Sequence, residues 1–286
     1  MDKALNVIPT GSQTFSKSHY SLPKGASPLF LESGKGAVVK DVDGNEFIDL
    51  VNGLLCISLG YMDKDVNAAI VEQLNNGISF SLPHQLEMEV ANLLVELIPC
   101  AEMVRFGKNG TDATSAAIRL ARAYTGRNHI AICGYHGWQD WYIGSTTRDL
   151  GVPESTKKLS HTFEYNNLES LQKLLNDYPD TAAVIMEPMS AIFPKSGFLK
   201  GVRSLCDEKK VVLIFDEIIT GFRLGLGGAQ KEFGITPDLA TFGKGMANGM
   251  PISAVVGKRE IMEKMEDIFF SGTFGGETLS LAASKA

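Results

Sequence analysis

Asp216 ends an unbroken apolar run, Val211 to Phe215, and Lys244 stands between Gly243 and Gly245 after the second short apolar run of PDLATFGKG. Runs of this length, bounded by turn residues, read as strands buried on both faces of a parallel sheet. Ligands of such sheets lie beyond the carboxyl ends of the strands. A carboxylate and an amine 28 positions apart in sequence would therefore meet at one place. An amine condenses with an aldehyde as a Schiff base, and a carboxylate keeps a basic ring nitrogen protonated. Pyridoxal phosphate offers both groups, and it is the cofactor this pair would serve. Its ring takes up the electrons released when a substrate Cα–H bond breaks. The freed Lys244 would then move the proton, first as base and then as acid. Taken singly, Asp216 also reads as a solvated strand end or helix cap, and Lys244 as a surface lysine in a glycine turn.

Strands alternating with helices would position the pair. From Met103 onward MVRFGKNGTDATSAAIRLARAYTG reads as a strand, a turn and a long helix with apolar positions at Ala113, Ala117, Leu120 and Ala121. Asn109-Gly110-Thr111 falls at that turn, where free amide N–H groups and the helix dipole favour a phosphate; a plain N-cap by Thr111 explains it equally. HIAICGYHGW reads as a strand ending in Tyr135 and His136; the tyrosine could stack on a planar cofactor or simply pack at a rim. Residues 144–162 read as loop, Leu168 to Asn176 as a helix, TAAVIMEP as a strand ending at Glu187, and Gly197 to Lys210 as a helix. About five such alternations favour an open α/β sheet with helices on both faces. Before Met103 the chain reads as a polar arm to about residue 35, a hairpin around Asp43-Gly44, and helices over Asp63–Asn76 and His84–Ile98. The expected division is an arm and small lobe over 1–100 and a large cofactor-binding α/β domain over 101–286.

The totals exclude several classes. With 286 residues, 44% of them apolar, the chain can bury a sizeable core. A net charge of −6 without a basic block argues against nucleic acid. No apolar run approaches a membrane span, and MDKALNVIPTGSQ has no apolar signal core. Cys56, Cys100, Cys133 and Cys206 form no C-x-x-C pair, and the five histidines show no metal spacing. Reduced core thiols in a cytoplasmic protein without a metal are expected. A nucleotide-binding protein is disfavoured, since neither Gly243-Lys244-Gly245 nor RLGLGGAQ completes a phosphate-loop or dinucleotide pattern.

The segments FGKNGTDATSAAIRLARAYTGR, GYHGW, VIMEP, LCDEKKVVLIFDEIITGFR, PDLATFGKGMANGMPISAVVG and GTFGGETLSLAA resemble, in order and spacing, the class III pyridoxal-phosphate aminotransferases of fold type I. The likeness covers about residues 30–286, and its branch resembles the glutamate-1-semialdehyde 2,1-aminomutases and their aminotransferase relatives. The resemblance implies a mainly parallel, seven-stranded-type α/β sheet flanked by helices, with a small N-terminal lobe. It implies Lys244 as the Schiff-base lysine, Asp216 as partner of the ring nitrogen, and Gly110 and Thr111 in the phosphate loop. Tyr135 and Ile218 would cover the two ring faces, with His136 and Glu187 near the cofactor. Thr273 would reach the phosphate of the neighbouring subunit's cofactor, which implies a homodimer. The implied reaction moves an amino group between a small-molecule amino donor and an aldehyde or ketone. The aminomutase variant moves it within one molecule.

Four departures bear on this. Ala247-Asn248-Gly249-Met250-Pro251 replaces the usual G-G-G-L-P of the aminomutases. Asn109 stands where Ser or Thr is usual, and Glu277 where many relatives have Asn. The chain also stops at LAASKA, inside what reads as a helix, whereas the family continues into a further small domain. A fragment or shortened protein is therefore expected. A non-catalytic dimeric module is the reading from a different class.

Overall fold

The computed structural model describes all of residues 1–286, and the chain divides into two compact units. The first comprises Met1–Gly53 and Leu59–Asp63. Its first thirty residues are short turns, as the polar composition suggests, but Leu31–Lys35 is a strand, β1. β1 pairs antiparallel with β2 (Val38–Asp41), which pairs with β3 (Glu46–Ile48). The expected hairpin is β2–β3. The Asp41 carboxylate shapes its turn by accepting from the Asp43 and Asn45 amides at 3.0 and 2.8 Å.

The second unit comprises Leu54–Ser58 and Lys64–Ala286. Its sheet uses β4 (Met103–Gly107), β5 (His129–Cys133), β6 (Ser160–Thr162), β7 (Thr181–Met186), β8 (Val212–Asp216), β9 (Leu239–Phe242) and β10 (Ser253–Gly257), in the order β4-β10-β9-β8-β7-β5-β6. β5 to β9 pair in parallel, and β10 lies antiparallel between β4 and β9. Every residue of β7, β8, β9 and β10 is buried, which is why these segments are continuous apolar runs.

Successive side chains of β8 serve opposite faces. Val212 and Ile214 join a core with Ala113, Ala117, Leu120 and Ala121 of the Gly110–Thr125 helix. Leu213 and Phe215 join another with residues of the Gln85–Leu97, Leu168–Asp177, Phe198–Lys209 and Thr278–Lys285 helices. Helices thus cover both faces, as the alternation predicts. The Lys64–Leu74 helix also belongs to this unit, with Val66 in the second core.

Two expectations need correction. Residues 144–162 are not all loop: Glu154–Lys157 forms one helical turn, and β6 adds an edge strand beside β5. Three residues are too few for a periodic signal. Cys56 is only half-buried and is not a core thiol, unlike Cys100, Cys133 and Cys206. Burial pushes those three thiols up to about 12, which keeps them as unreactive S–H groups at neutral pH.

Candidate active site

The carboxyl ends of β5, β7, β8 and β9 deliver Tyr135, Glu187, Asp216 and Lys244 to one edge of the sheet, where the parallel register aligns the strand ends. Asp216 is 4% exposed and both its oxygens are occupied. Oδ2 lies 2.7 Å from His136 Nδ1. Oδ1 accepts from the Ile218 amide and from Thr241 Oγ1, each at 3.1 Å. Thr241 faces Asp216 directly in the β8–β9 register. The other ring nitrogen of His136, Nε2, lies 3.2 Å from the Cys133 carbonyl. A carbonyl only accepts, so Nε2 carries a hydrogen. The ring therefore faces two acceptor groups, and a proton is held between Nδ1 and Oδ2 whichever atom bears it.

His136 itself is 1% exposed and fixed from all sides. Its carbonyl accepts from Thr114 Oγ1 at 2.9 Å. The Trp141 ring lies nearly parallel to the imidazole at 6.3 Å, and Tyr142 meets it edge-on at 5.5 Å. Tyr135, next in the chain, is 61% exposed and touches Tyr142 edge-to-face at 5.5 Å. Its amide donates to Glu187 Oε2 at 3.1 Å. Burial raises the proton affinity of Glu187 above the ordinary carboxyl value; the Tyr135 amide opposes this.

Lys244 opens a short 3-10 turn, Lys244–Ala247, with φ of +43°. A left-handed lysine costs on the order of 1–2 kcal/mol, so the surrounding packing must impose it. Its side chain is partly buried, and burial lowers the ammonium's pKa below the ordinary lysine value. Asp216 and Glu187 act in the opposite sense, which places both carboxylates within electrostatic reach of the amine.

The Gly110–Thr125 helix packs on the sheet and begins beside Ile218. Asp112 closes its first turn by accepting from the Lys108 and Asn109 amides at 3.0 and 2.8 Å. The Gly110 and Thr111 amides, which lie in the helix's first turn and so have no intrahelical partner, find no acceptor elsewhere in the chain. A Cβ on Gly110 would stand 3.2 Å from the Ile218 side chain, and one on Gly243 would stand 3.1 Å from it. Ile218 thus lies between the helix start and the lysine turn. Gly137, with φ of +103°, brings its backbone against Thr111 closer than a side chain would permit. Thr111 Oγ1 accepts from the Trp138 amide at 3.2 Å.

Lys244, Asp216, His136, Glu187 and Tyr135 are therefore brought together, and Gly110, Thr111 and Ile218 adjoin them. Thr273 is not: it is exposed in the loop before the Thr278–Lys285 helix and makes no hydrogen bond to this cluster. Glu277 closes that loop. It caps the helix by accepting from the Leu279 amide at 2.6 Å and pairs with Lys108 at 2.9 Å. Thr241 carries no local signal beyond being a lone hydroxyl in the buried run LATF, and sequence reasoning missed it. Glu217, one residue after Asp216, serves the fold instead of the site. Buried completely, it accepts from Thr220 Oγ1, the Ala229 and Gln230 amides and Gln230 Nε2.

These residues fit pyridoxal phosphate. A buried carboxylate holding a proton with His136 suits a ring nitrogen, an amine with lowered proton affinity suits an aldehyde, and unpartnered helix amides beside a side-chain-free Gly110 suit a phosphate. The class III aminotransferase family matches over residues 20–286. A 3-aminobutyryl-CoA aminotransferase of Cloacimonas acidaminovorans (strain Evry) is 43% identical over 96% of this chain and 67% of its own length. A glutamate-1-semialdehyde 2,1-aminomutase of Lachnoclostridium phytofermentans is 41% identical over 98% of this chain and 70% of its own. The FumI protein of Sphingopyxis sp. MTA144, in a pyridoxal-phosphate-bound form, superposes with a TM-score of 0.92 at 32% identity, over 99% of this chain and 69% of its own. The chain belongs to the class III aminotransferases, enzymes of fold type I that use pyridoxal 5′-phosphate.

Proposed function

We propose that this chain transfers an amino group between an amino donor and an aldehyde or ketone, with Lys244 and Asp216 as its catalytic residues. The observation that carries the assignment is the pairing of a buried, proton-holding Asp216–His136 couple with an amine of lowered proton affinity. When bound, pyridoxal phosphate supplies an aldehyde for the amine and a ring that accepts the electrons of the breaking Cα–H bond.

The chain's residues do the rest. Asp216 would keep the ring nitrogen protonated, with His136 and Thr241 holding its carboxylate in place. Lys244 Nζ would hold the cofactor, and as a free amine it would carry the substrate's Cα proton. Burial leaves that amine free of its proton more readily than an exposed lysine, as a base must be. The Gly110 and Thr111 amides would hold the cofactor's phosphate, Ile218 and Tyr135 would flank its ring, and Glu187 stands beside Tyr135.

A homodimer would complete the site, with Thr273 of each subunit placed to hold the other's phosphate. Its support is the exposure of the Thr273 loop, in which Phe274 is 59% exposed. The cytoplasm is the proposed location, supported by four free cysteines. No helix is long and apolar enough to cross a membrane.

Lys244→Ala tests the assignment. The variant should bind the cofactor weakly without a visible absorbance band and should show no turnover with a panel of amino acids and oxo acids. Full activity in that variant would overturn it.

A further inference from the structure

Three segments of the second unit converge on the residues next to Lys244. The first is the turn that follows Asp216. It is closed by the Gly221 amide on the Glu217 carbonyl at 2.8 Å and the Arg223 amide on the Thr220 carbonyl at 3.2 Å. The Phe242 ring leaves no room for a side chain on Gly221, and the Gly221 carbonyl oxygen lies 4.0 Å from where a Cβ on Gly245 would stand. The second is the Lys244–Ala247 turn itself. The third is Leu54–Ser58: Ser58 Oγ lies 2.6 Å from that same Cβ position, and Ile57 lies 2.8 Å from one on Gly249.

Arg223 bridges the first and third segments, but loosely. Phe222, immediately before it, is held at φ of +60°, a costly conformation for a bulky residue, with its ring against Phe242 at 5.8 Å. That constraint fixes where Arg223 leaves the turn. Its guanidinium is exposed, has no carboxylate partner, and makes a single hydrogen bond to the Leu55 carbonyl at 3.4 Å, long for N–H···O. Arg203 is the contrast, clamped between Asp207 and Asp238 at 2.7 and 2.9 Å. A strained backbone thus presents a five-donor planar cation beside the lysine turn with most of its hydrogen-bonding capacity unused.

We infer that Arg223 is a specificity-determining residue that receives the carboxylate of the substrate, selecting amino and oxo acids over uncharged amines and aldehydes. The inference rests on the assignment of Lys244 above and names the substrate class for that site. The guanidinium fork matches a carboxylate bidentately, which a lysine cannot do. The charge of Arg223 also lowers the proton affinity of Lys244. A carboxylate bound there offsets that charge, so the amine holds a proton more firmly when an acidic substrate is in place.

The test uses the holoenzyme and the Arg223→Gln and Arg223→Lys variants. Half-saturation for bleaching of the visible band is measured with β-alanine, 4-aminobutyrate and n-butylamine. Arg223→Gln should raise the values for the two amino carboxylates about 10- to 100-fold more than for n-butylamine, with Arg223→Lys between. Succinate, which needs no turnover, should raise the pH midpoint of the visible band in the parent and leave it unmoved in Arg223→Gln. Equal shifts for all three amines, or a succinate effect that survives in Arg223→Gln, would overturn the inference alone. A parent that forms no band at all would overturn the Lys244 assignment, and this inference with it.

Discussion

His136 Nδ1 lies 2.7 Å from Asp216 Oδ2, with the ring 1% and the aspartate 4% exposed. A buried pair of this kind contributes little relative to a well-packed apolar pair, but breaking it leaves one charged group without a partner. His136→Phe should therefore destabilise the apo chain by about 3–5 kcal/mol, read as a lower midpoint in urea unfolding. An unchanged midpoint would mean that the pair contributes nothing to the fold.

Asp216→Ala should separate attachment from chemistry. Lys244 remains, so the cofactor should still attach covalently and absorb in the visible. Without a carboxylate to keep the ring nitrogen protonated, turnover should fall on the order of 10²- to 10³-fold, the usual loss of a preorganised electrostatic partner. Single-turnover rates with an amino donor would show it; a rate equal to the parent's would assign the ring nitrogen to another group.

Lys244 gives a pH-dependent stability. Burial depresses its pKa, so the unfolded chain binds the proton more tightly than the folded one. Folding is thus opposed at neutral pH, and the opposition fades as pH rises through the depressed value towards the ordinary lysine value. Apo Lys244→Met should melt above the apo parent at pH 7, and the gap should narrow towards pH 10. A gap independent of pH would place the amine in water.

Much of this site was legible because its chemistry sits at strand ends. Asp216 and Lys244 terminate apolar runs, and the parallel sheet converts that position into proximity. Thr241 was not legible, since its role depends on standing opposite Asp216 in the β8–β9 register, which no local pattern specifies. β10 was missed for a related reason: PISAVVG returns antiparallel into the middle of the sheet, against the strand–helix alternation. Thr273 is exposed in its loop and lies apart from the cluster within one chain. Glu277, a departure by resemblance, has a local explanation in its helix cap and its pair with Lys108.

Glu217 carries a prediction about folding alone. Glu217→Gln replaces one acceptor oxygen by a donor and strands two of the four groups that it now satisfies. A loss of roughly 2–4 kcal/mol is expected, with hydrogen exchange of the Ala229 and Gln230 amides accelerated first. Protection at those amides equal to the parent's would show that the cap is dispensable.

The most direct measurement is borohydride reduction of the pyridoxal-phosphate-loaded protein followed by a peptide mass map. A site built on Lys244 should give a single stable adduct, on that lysine, with loss of the visible band. An adduct spread over many lysines, or confined to another one, would contradict it.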